Sequence, residues 1–222
     1  MRSRLEITVP LQHRLRFLRS ALGSMRATGA VLPSGRPLAY ELARFLRDRP
    51  TGRPVRVLEV GAGNGAVTRV LFAHLRPGDH LDAVEVNKEY VEDLTETLAE
   101  AADGSPGTGY TIHTADVRDL APETDYDLIV SGLPFANFTH EETRAVLDFY
   151  MEHIAPRGHM SLYGYLFTRE LKAITASRAS YTRQRLSQRL VDRFVRDHLV
   201  VSKRVWRNVP PAWVHHLRRE VG

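Results

Sequence analysis

The fold is decided by the stretch Val57-Leu-Glu59-Val-Gly61-Ala-Gly63-Asn64-Gly65, in which a short apolar strand runs into three glycines. The residues that follow, from Ala66, carry the pattern of a helix. Glycine lets a backbone turn tightly and approach a ligand without a Cβ in the way. The N-terminus of a helix adds free N–H groups and a partial positive charge. The stretch therefore predicts a ligand-binding loop between a strand and a helix.

Strands and helices alternate along the chain from residue 55 onward. The predicted strands are Val55–Val60, Leu81–Val86, Tyr110–His113, Leu128–Ser131, His159–Tyr165, Leu199–Trp206 and Ala212–Leu217. The predicted helices are Ala66–Leu75, Lys88–Ala102, Thr139–Ile154, Thr168–Ser177 and Thr182–Asp197. This alternation is typical of a doubly wound α/β fold with a mostly parallel sheet, and the last two strands are close enough to pair as an antiparallel edge. A turn is predicted at Pro156–Gly158, and the last helix is expected to cover the sheet through Leu186, Leu190 and Phe194.

The first 50 residues predict a helical extension, and residues 51–222 the main domain. Apolar residues recur in the extension at helical spacing, at Leu11, Leu15, Leu18 and Leu22. Arginines lie beside this stripe, and a basic amphipathic helix is typical of an anchor on an anionic membrane surface. Packing of the same stripe against the chain's own domain is the alternative.

The composition excludes several classes of protein. The 222 residues include no cysteine, which excludes disulfide scaffolds, thiol nucleophiles and Cys-ligated metals. No run approaches the roughly 18 apolar residues of a membrane span, and the N-terminus lacks the apolar core of a secretory signal. The ten histidines show no metal-ligand spacing, so no metal site is expected. We therefore expect a cytoplasmic protein, soluble or attached peripherally to the inner face of the membrane.

Charge is distributed unevenly along the chain. Residues 1–56 carry 12 Lys/Arg against 3 Asp/Glu, residues 57–150 carry 5 against 18, and residues 151–222 carry 14 against 5. Basic flanks around an acidic middle favour an anionic partner, either a membrane surface or nucleic acid. A solvated basic face is the alternative.

Two ligands compete for the glycine loop. The spacing Gly61-x-Gly63-x-x-Ala66 fits the dinucleotide pattern, in which a pyrophosphate lies on the helix N-terminus. Glu59 favours S-adenosylmethionine, because a carboxylate is poorly placed beside a pyrophosphate but well placed for the cationic amino group of a methionine. Glu85 ends the second strand, where its carboxylate can accept hydrogen bonds from both ribose hydroxyls of either ligand.

Two further segments follow strands at the same edge of the sheet. Asp116 comes after the third strand, where its carboxylate can accept a hydrogen bond from an adenine amino group or cap the next short helix. Ser131-Gly-Leu133-Pro-Phe135 comes after the fourth strand, where a hydroxyl and a carbonyl can orient an acceptor amine. Tyr165 on the fifth strand offers a further hydroxyl. A proline turn over a buried Phe135 is the alternative for this loop.

The sequence resembles class I S-adenosylmethionine-dependent methyltransferases in four motifs, Glu59-x-Gly61-x-Gly63-x-Gly65, Glu85, Asp116 and Ser131-Gly-Leu-Pro134. The resemblance implies a Rossmann-like seven-stranded sheet, with N-terminal helices, and S-adenosyl-L-methionine as the cofactor. It implies cofactor-binding roles for Pro33, Ser34, Glu59, Gly61, Gly63, Asn64, Gly65, Glu85, Val86, Asp116, Val117 and Ser131. The acceptor amine would be oriented by the catalytic set Ser131, Leu133 and Tyr165.

Three other segments resemble bacterial phospholipid N-methyltransferases of the soluble, peripheral type, namely Arg26–Ser34, Ser131–Phe138 and Trp206–Val214. This resemblance implies methylation of the amino group of phosphatidylethanolamine, or of a related lipid amine, with the N-terminal helix in contact with the membrane. Phe135 departs from the aliphatic residue that usually follows the proline. The motifs are also similar to those of ribosomal RNA adenine dimethylases, but these carry Asn at the position of Ser131, which argues against adenine as the acceptor.

Three classes of function stay open on the sequence alone. The first is N-methylation of a lipid amine, and the second is methylation of a soluble small molecule or of RNA. The third is a nicotinamide-dependent oxidoreductase, or a protein that binds the cofactor without catalysis. In the first two classes the methyl donor is already activated, so the protein mainly has to position and desolvate the reactants.

Overall fold

A computed structural model gives the fold of this chain and describes residues 35–50, 52–165, 178–208 and 211–219. Buried apolar runs form most of its strands, as is usual for a parallel sheet that is covered on both faces. The strands are β1 (Arg56–Val60), β2 (His80–Val84), β3 (Gly109–His113), β4 (Tyr126–Ser131), β5 (Ile154–Tyr165), β6 (Leu199–Val205) and β7 (Ala212–Arg218). The helices are α1 (Arg36–Leu42), α2 (Arg44–Arg47), α3 (Thr68–Phe72), α4 (Lys88–Asp103), α5 (His140–His153) and α6 (Arg178–His198).

The seven strands form one sheet in the order β3-β2-β1-β4-β5-β7-β6. Neighbours from β3 to β5 are parallel, whereas β7 runs antiparallel to both β5 and β6. This arrangement confirms the Rossmann-like, mostly parallel sheet and its antiparallel C-terminal edge. The strand order reverses beside β1, so the ends of β1 and β4 diverge around the crevice in which ligands of such sheets bind.

Two apolar clusters cover the two faces of the sheet. On one face, α5 and α6 pack against alternate residues of the central strands, including Leu58, Ile129 and Leu162. On the other face, α1, α3 and α4 pack against the intervening residues, including Val57 and Val130. Successive strand residues point to opposite faces. A polar residue next to a member of one cluster along a strand therefore points to the face of the other cluster.

The boundaries of two elements differ from the sequence predictions. The helix predicted over Ala66–Leu75 is shortened to α3, because the backbone around Leu75 is closed by tighter i→i+3 hydrogen bonds. The turn predicted at Pro156–Gly158 is instead an irregularity inside β5, which already begins at Ile154. Arg157 adopts a φ of 64° there, and the register of β5 with β4 shifts at this point.

Helix α5 begins with a capping box. The Thr139 hydroxyl accepts a hydrogen bond from the Glu142 amide, and the Glu142 carboxylate accepts one from the Thr139 amide. In α6, Leu190 and Phe194 pack on the core as expected. Leu186 does not, since it is 47% exposed. Ser187 is buried in its place, seven residues before Phe194, and donates a hydrogen bond to the Phe138 carbonyl.

Several predictions fall outside the described residues. They concern the amphipathic helix around residues 11–22 and the helix over 168–177. Within the predicted extension, α1 and α2 bury Leu38, Leu42 and Leu46 in the sheet's core. None of the described helices combines the length and the apolar character that crossing a membrane requires.

Candidate cofactor and acceptor site

The loop after β1 turns through three glycines in the left-handed region of the backbone. Gly61, Gly63 and Gly65 have φ values of 74°, 57° and 83°. The amides of Gly61 and Ala62 both donate hydrogen bonds to the Val84 carbonyl, at 2.8 and 3.1 Å, which holds the loop against the end of β2. Side chains other than glycine rarely adopt this conformation, so the three glycines are needed to form the turn.

The three glycines meet different surroundings. A Cβ on Gly61 would lie 3.1 Å from a methyl group of Leu133, and one on Gly65 would lie 2.9 Å from the Thr97 side chain on α4. A Cβ on Gly63 would meet no described atom within 4 Å. Gly61 and Gly65 therefore allow close packing inside the protein, whereas Gly63 faces open space where a ligand can lie, beside the exposed Asn64.

Glu85 follows β2 and reaches back to this loop. Its carboxylate accepts hydrogen bonds from the Gly63 and Asn87 amides, both at 2.8 Å, and is almost fully buried. Burial raises the pKa of Glu85, and the surrounding backbone amides offset part of that rise. A carboxylate offers about four acceptor sites, so the backbone amides leave room for a ribose hydroxyl of a cofactor. Val86, the next residue, packs beside the core with part of its surface open.

Glu59 on β1 is the most perturbed carboxylate of the site. Its side chain is 2% exposed, and its Oε2 atom has no hydrogen-bond partner among the described residues. Burial and the charge of Glu85 raise the pKa of Glu59, Thr68 lowers it in part, and the resulting pKa is about 8. A buried acceptor without a partner costs free energy unless a donor meets it. The cationic amino group of S-adenosylmethionine is such a donor, so the residues present fit this cofactor.

Asp116 and Val117 follow β3. The Asp116 carboxylate accepts a hydrogen bond from the Arg118 amide at 3.0 Å, so the helix-cap interpretation is confirmed. The Arg118 guanidinium also pairs with this carboxylate. Val117 is 3% exposed and belongs to the core beneath α5. The contact of Asp116 with an adenine amino group stays a prediction.

Ser131 ends β4 with its side chain directed under α5. Its Oγ accepts a hydrogen bond from the Tyr150 hydroxyl at 2.8 Å and a long one from the Leu133 amide at 3.4 Å. The Leu133 carbonyl accepts one hydrogen bond, from the Phe135 amide at 3.0 Å, which leaves it one free acceptor site. Ser131 and Leu133 thus lie together, and no sequence pattern indicates that Tyr150 holds the serine. Phe135 is buried against Phe138, as the alternative interpretation of this loop expected.

The third predicted catalytic residue does not share that face of the sheet. Ser131 is paired with Leu162, whose side chain belongs to the α5 and α6 face, and Tyr165 lies three residues further along β5. Tyr165 therefore points to the opposite face, where it packs beside Tyr163 with a ring separation of 5.4 Å. Burial raises the pKa of its hydroxyl. The structure brings Ser131 and Leu133 together but not Ser131 and Tyr165.

Pro33 and Ser34 lie outside the described residues, and Gly35 is the first residue that the structure describes. The Gly35 amide donates a hydrogen bond of 2.9 Å to the side chain of Asn208, which is 2% exposed. The contact joins residues 173 positions apart and holds Gly35 against the Trp206–Val214 segment. Asn208 is an anchoring residue that the sequence reasoning missed. No group of metal-ligating side chains occurs in the part of the chain that the structure describes.

Known proteins are similar to this chain in sequence and in fold. Residues 58–160 match the model of a methyltransferase domain. An ornithine lipid N-methyltransferase of Singulisphaera acidiphila is 28% identical over 144 residues, which are 62% of this chain and 72% of that protein. A tRNA1(Val) (adenine(37)-N6)-methyltransferase of Cronobacter sakazakii is 33% identical over 89 residues, which are 39% of this chain and 35% of that protein. Among solved structures, magnesium protoporphyrin IX methyltransferase from Synechocystis PCC 6803, with bound SAM, shares the fold with a TM-score of 0.62 and 11% identity over 97% of this chain and 100% of that one.

Proposed function

Since residues 58–160 match a methyltransferase domain, we propose that the chain is a class I S-adenosylmethionine-dependent methyltransferase that methylates the amino group of a lipid, either phosphatidylethanolamine or a related lipid amine. The observation that carries the lipid assignment is the similarity to an ornithine lipid N-methyltransferase, which extends over 62% of this chain. The three segments that resemble phospholipid N-methyltransferases support the same substrate class. We further propose that the reaction takes place at the cytoplasmic surface of a membrane.

The chain's own residues would hold the cofactor at three points. Glu59 would accept hydrogen bonds from the amino group of the methionine part, because its Oε2 is buried without a partner. Glu85 would bind the ribose through the acceptor sites that the Gly63 and Asn87 amides leave free. Asp116 would meet the adenine. When bound, S-adenosylmethionine supplies a methyl group that is already activated on a sulfonium.

The chain's remaining task is to orient and desolvate the acceptor amine. Only the neutral amine has the lone pair that attacks the methyl group, so the site must bind it without a proton on that lone pair. The Leu133 carbonyl has a free acceptor site for an amine N–H. Ser131 Oγ can supply a second one if the amine replaces its long contact with the Leu133 amide. Tyr150 keeps the serine rotamer fixed, which preorganises this pair.

Methylation of RNA adenine is the second candidate, and one observation favours it. The tRNA1(Val) methyltransferase is 33% identical to this chain over 89 residues, a higher identity over a shorter stretch. The chain spans only 35% of that protein, and Ser131 stands where the adenine dimethylases named above carry Asn. We therefore place RNA behind the lipid amine.

The test is methyl transfer from labelled S-adenosylmethionine to four acceptors offered separately: phosphatidylethanolamine vesicles, ornithine lipid vesicles, soluble primary amines and RNA. Lipid extraction and chromatography separate mono-, di- and trimethylated products. We expect label in a lipid fraction with the native protein and a large loss with Glu59→Gln. Label only in RNA or in soluble amines, with cofactor binding intact in the same sample, would refute the lipid assignment.

A further inference from the structure

The C-terminal edge of the sheet carries an exposed aromatic and basic surface, formed by Arg204, Trp206, Arg207 and Trp213, which we call the tryptophan–arginine patch. Trp206 is 57% exposed, the highest value among the large apolar side chains that the structure describes. The Arg204 guanidinium lies 4.4 Å from the ring centre of Trp213 and 5.9 Å from that of Trp206. Because Arg204 lies near both rings, the exposed aromatic and basic groups form one continuous surface, and such a surface points to a partner.

The register of the strands places this patch at the same end of the strands as the cofactor site, namely at their carboxyl ends. Tyr165, at the carboxyl end of β5, is paired with Ala212, and Ala212 is paired with Val205. The end of β6 and the start of β7 therefore lie at the carboxyl edge of the parallel strands, where the glycine loop and Ser131 also lie. Three strand spacings separate β6 from β4, which is roughly 15 Å. A surface that docks on the patch would come close to the acceptor site.

The charge of this region favours an anionic partner. Residues 199–219 include five Lys or Arg and no Asp or Glu. Within the described residues, neither Arg204 nor Arg207 forms an ion pair with a carboxylate. Tryptophan and arginine together suit the bilayer interface, because the indole lies at the level of the headgroups and each basic side chain is attracted by anionic lipid.

The patch is also continuous with the chain that leads to the basic N-terminal segment. Asn208, two residues after Trp206, holds Gly35 through the hydrogen bond described above, and Arg36 beside it is exposed. Residues 1–34, which precede Gly35, contain six Arg against one Glu. The described part of the chain thus begins beside the patch, at Gly35.

We propose that the tryptophan–arginine patch docks on an anionic bilayer and thereby places the catalytic edge of the sheet against the headgroups. The inference rests on the proposed function, because the bilayer on which the patch docks would also supply the lipid substrate. It differs from the proposed function in assigning the contact to residues of the folded sheet edge.

The test is binding of the full chain to vesicles of phosphatidylglycerol and phosphatidylethanolamine, compared with phosphatidylcholine vesicles, by flotation. We expect Trp206→Ala to weaken binding to the anionic vesicles about tenfold. Arg204→Gln should weaken it about fivefold, and added salt should reduce the difference. The matched controls lie at the other end of the same strands: Leu199→Ala removes an exposed apolar side chain and Arg218→Gln an exposed charge, and each should change binding less than twofold.

A second measurement separates failure of the docking surface from failure of the proposed function. Methyl transfer to a short-chain phosphatidylethanolamine, dissolved as monomers, needs no docking, so Trp206→Ala should keep the native rate there and lose rate only on vesicles. Vesicle binding by Trp206→Ala equal to that of Leu199→Ala would overturn the patch, as would a patch that proves to bind RNA and not vesicles. If the native protein methylates no lipid but loses vesicle binding through Trp206→Ala, the patch stands and the proposed function fails.

Discussion

We expect the protein to release a proton from Glu59 when the cofactor binds. Its carboxyl group has a pKa of about 8 in the unliganded protein because it is buried, so at pH 7 about nine-tenths of the molecules carry a proton there. A cationic amino group binds only the ionised carboxylate with full strength. Binding of the cofactor at pH 7 should therefore release about 0.9 proton from Glu59.

The same ionisation sets the size of the pH effect on affinity. Below a pKa of about 8 the ionised fraction rises almost tenfold per pH unit, so the apparent affinity should rise about ninefold from pH 6 to pH 7. The stability of the free protein should move the opposite way. Because the folded pKa lies above the ordinary value of 4.5, this group's contribution is greatest at low pH and falls by about 3 kcal/mol as the pH rises from 4.5 to 7.

The assay is titration calorimetry with S-adenosylhomocysteine in two buffers that differ in their heat of ionisation, which counts the protons released. Glu59→Gln should bind more weakly at pH 8 and release no proton at pH 7. The comparison variant is Glu85→Gln, which removes a charge that helps to raise the pKa of Glu59 and should therefore reduce the proton release in part, whereas Glu59→Gln should abolish it. If Glu59→Gln released as many protons as the native protein, another group would be titrating and the role of Glu59 would be refuted.

Three further substitutions test the packing around the site. Gly65→Ala should lower the free energy of unfolding by about 2 kcal/mol, because its φ is 83° and the new Cβ would lie 2.9 Å from the Thr97 side chain; urea unfolding measures this, and an unchanged midpoint would contradict it. Ser131→Ala should cost about 1–3 kcal/mol by leaving the buried Tyr150 hydroxyl without an acceptor, and adding Tyr150→Phe should restore most of the loss; a double-mutant cycle without coupling would exclude the pair. Burial lowers the pKa of His216, so below pH 6.5 the native fold binds fewer protons than the unfolded chain and its free energy of unfolding falls as the pH falls. His216→Gln should therefore lose less free energy of unfolding than the native protein over this pH range. Equal slopes of the free energy of unfolding against pH for both proteins would count against this.

The sheet could be predicted because its central strands are buried on both faces. Such strands appear in a sequence as apolar runs between polar turns, as in Leu128–Ser131, and their order follows from the alternation with helices. The start of β5 could not be predicted in this way. Pro156 and Gly158 are typical turn residues, and they fall inside β5 because Ile154 and His159 on either side of them both pair with β4, a tertiary contact that local propensity does not contain.

In the candidate site, too, features that follow from the local sequence could be predicted, whereas those that depend on tertiary contacts could not. The position of Glu59 and Glu85 beside the glycine loop could be predicted because both belong to the strand–loop stretches whose course the glycines determine; their roles in binding a cofactor stay predictions. The bond between Ser131 and Tyr150 depends on the rotation of α5 over the sheet, which the 18 intervening residues do not specify. Tyr165 was grouped with Ser131 because both lie at the carboxyl edge. The face of the sheet that each occupies follows from the register of β4 with β5, and this register separates them.

Contact between two glycines ties the cofactor loop to the acceptor loop. The Gly132 amide donates a hydrogen bond of 2.7 Å to the Val60 carbonyl, and a Cβ on Gly132 would lie only 2.7 Å from the Gly61 carbonyl oxygen. Any larger residue at position 132 would push the loop that carries Leu133 away from the loop that holds the cofactor. In-line transfer requires the amine and the methyl group to be aligned within a fraction of an ångström. We therefore expect Gly132 to matter because it has no side chain: this lets the loop after β4 approach the loop after β1 closely, so that the two loops form one rigid unit.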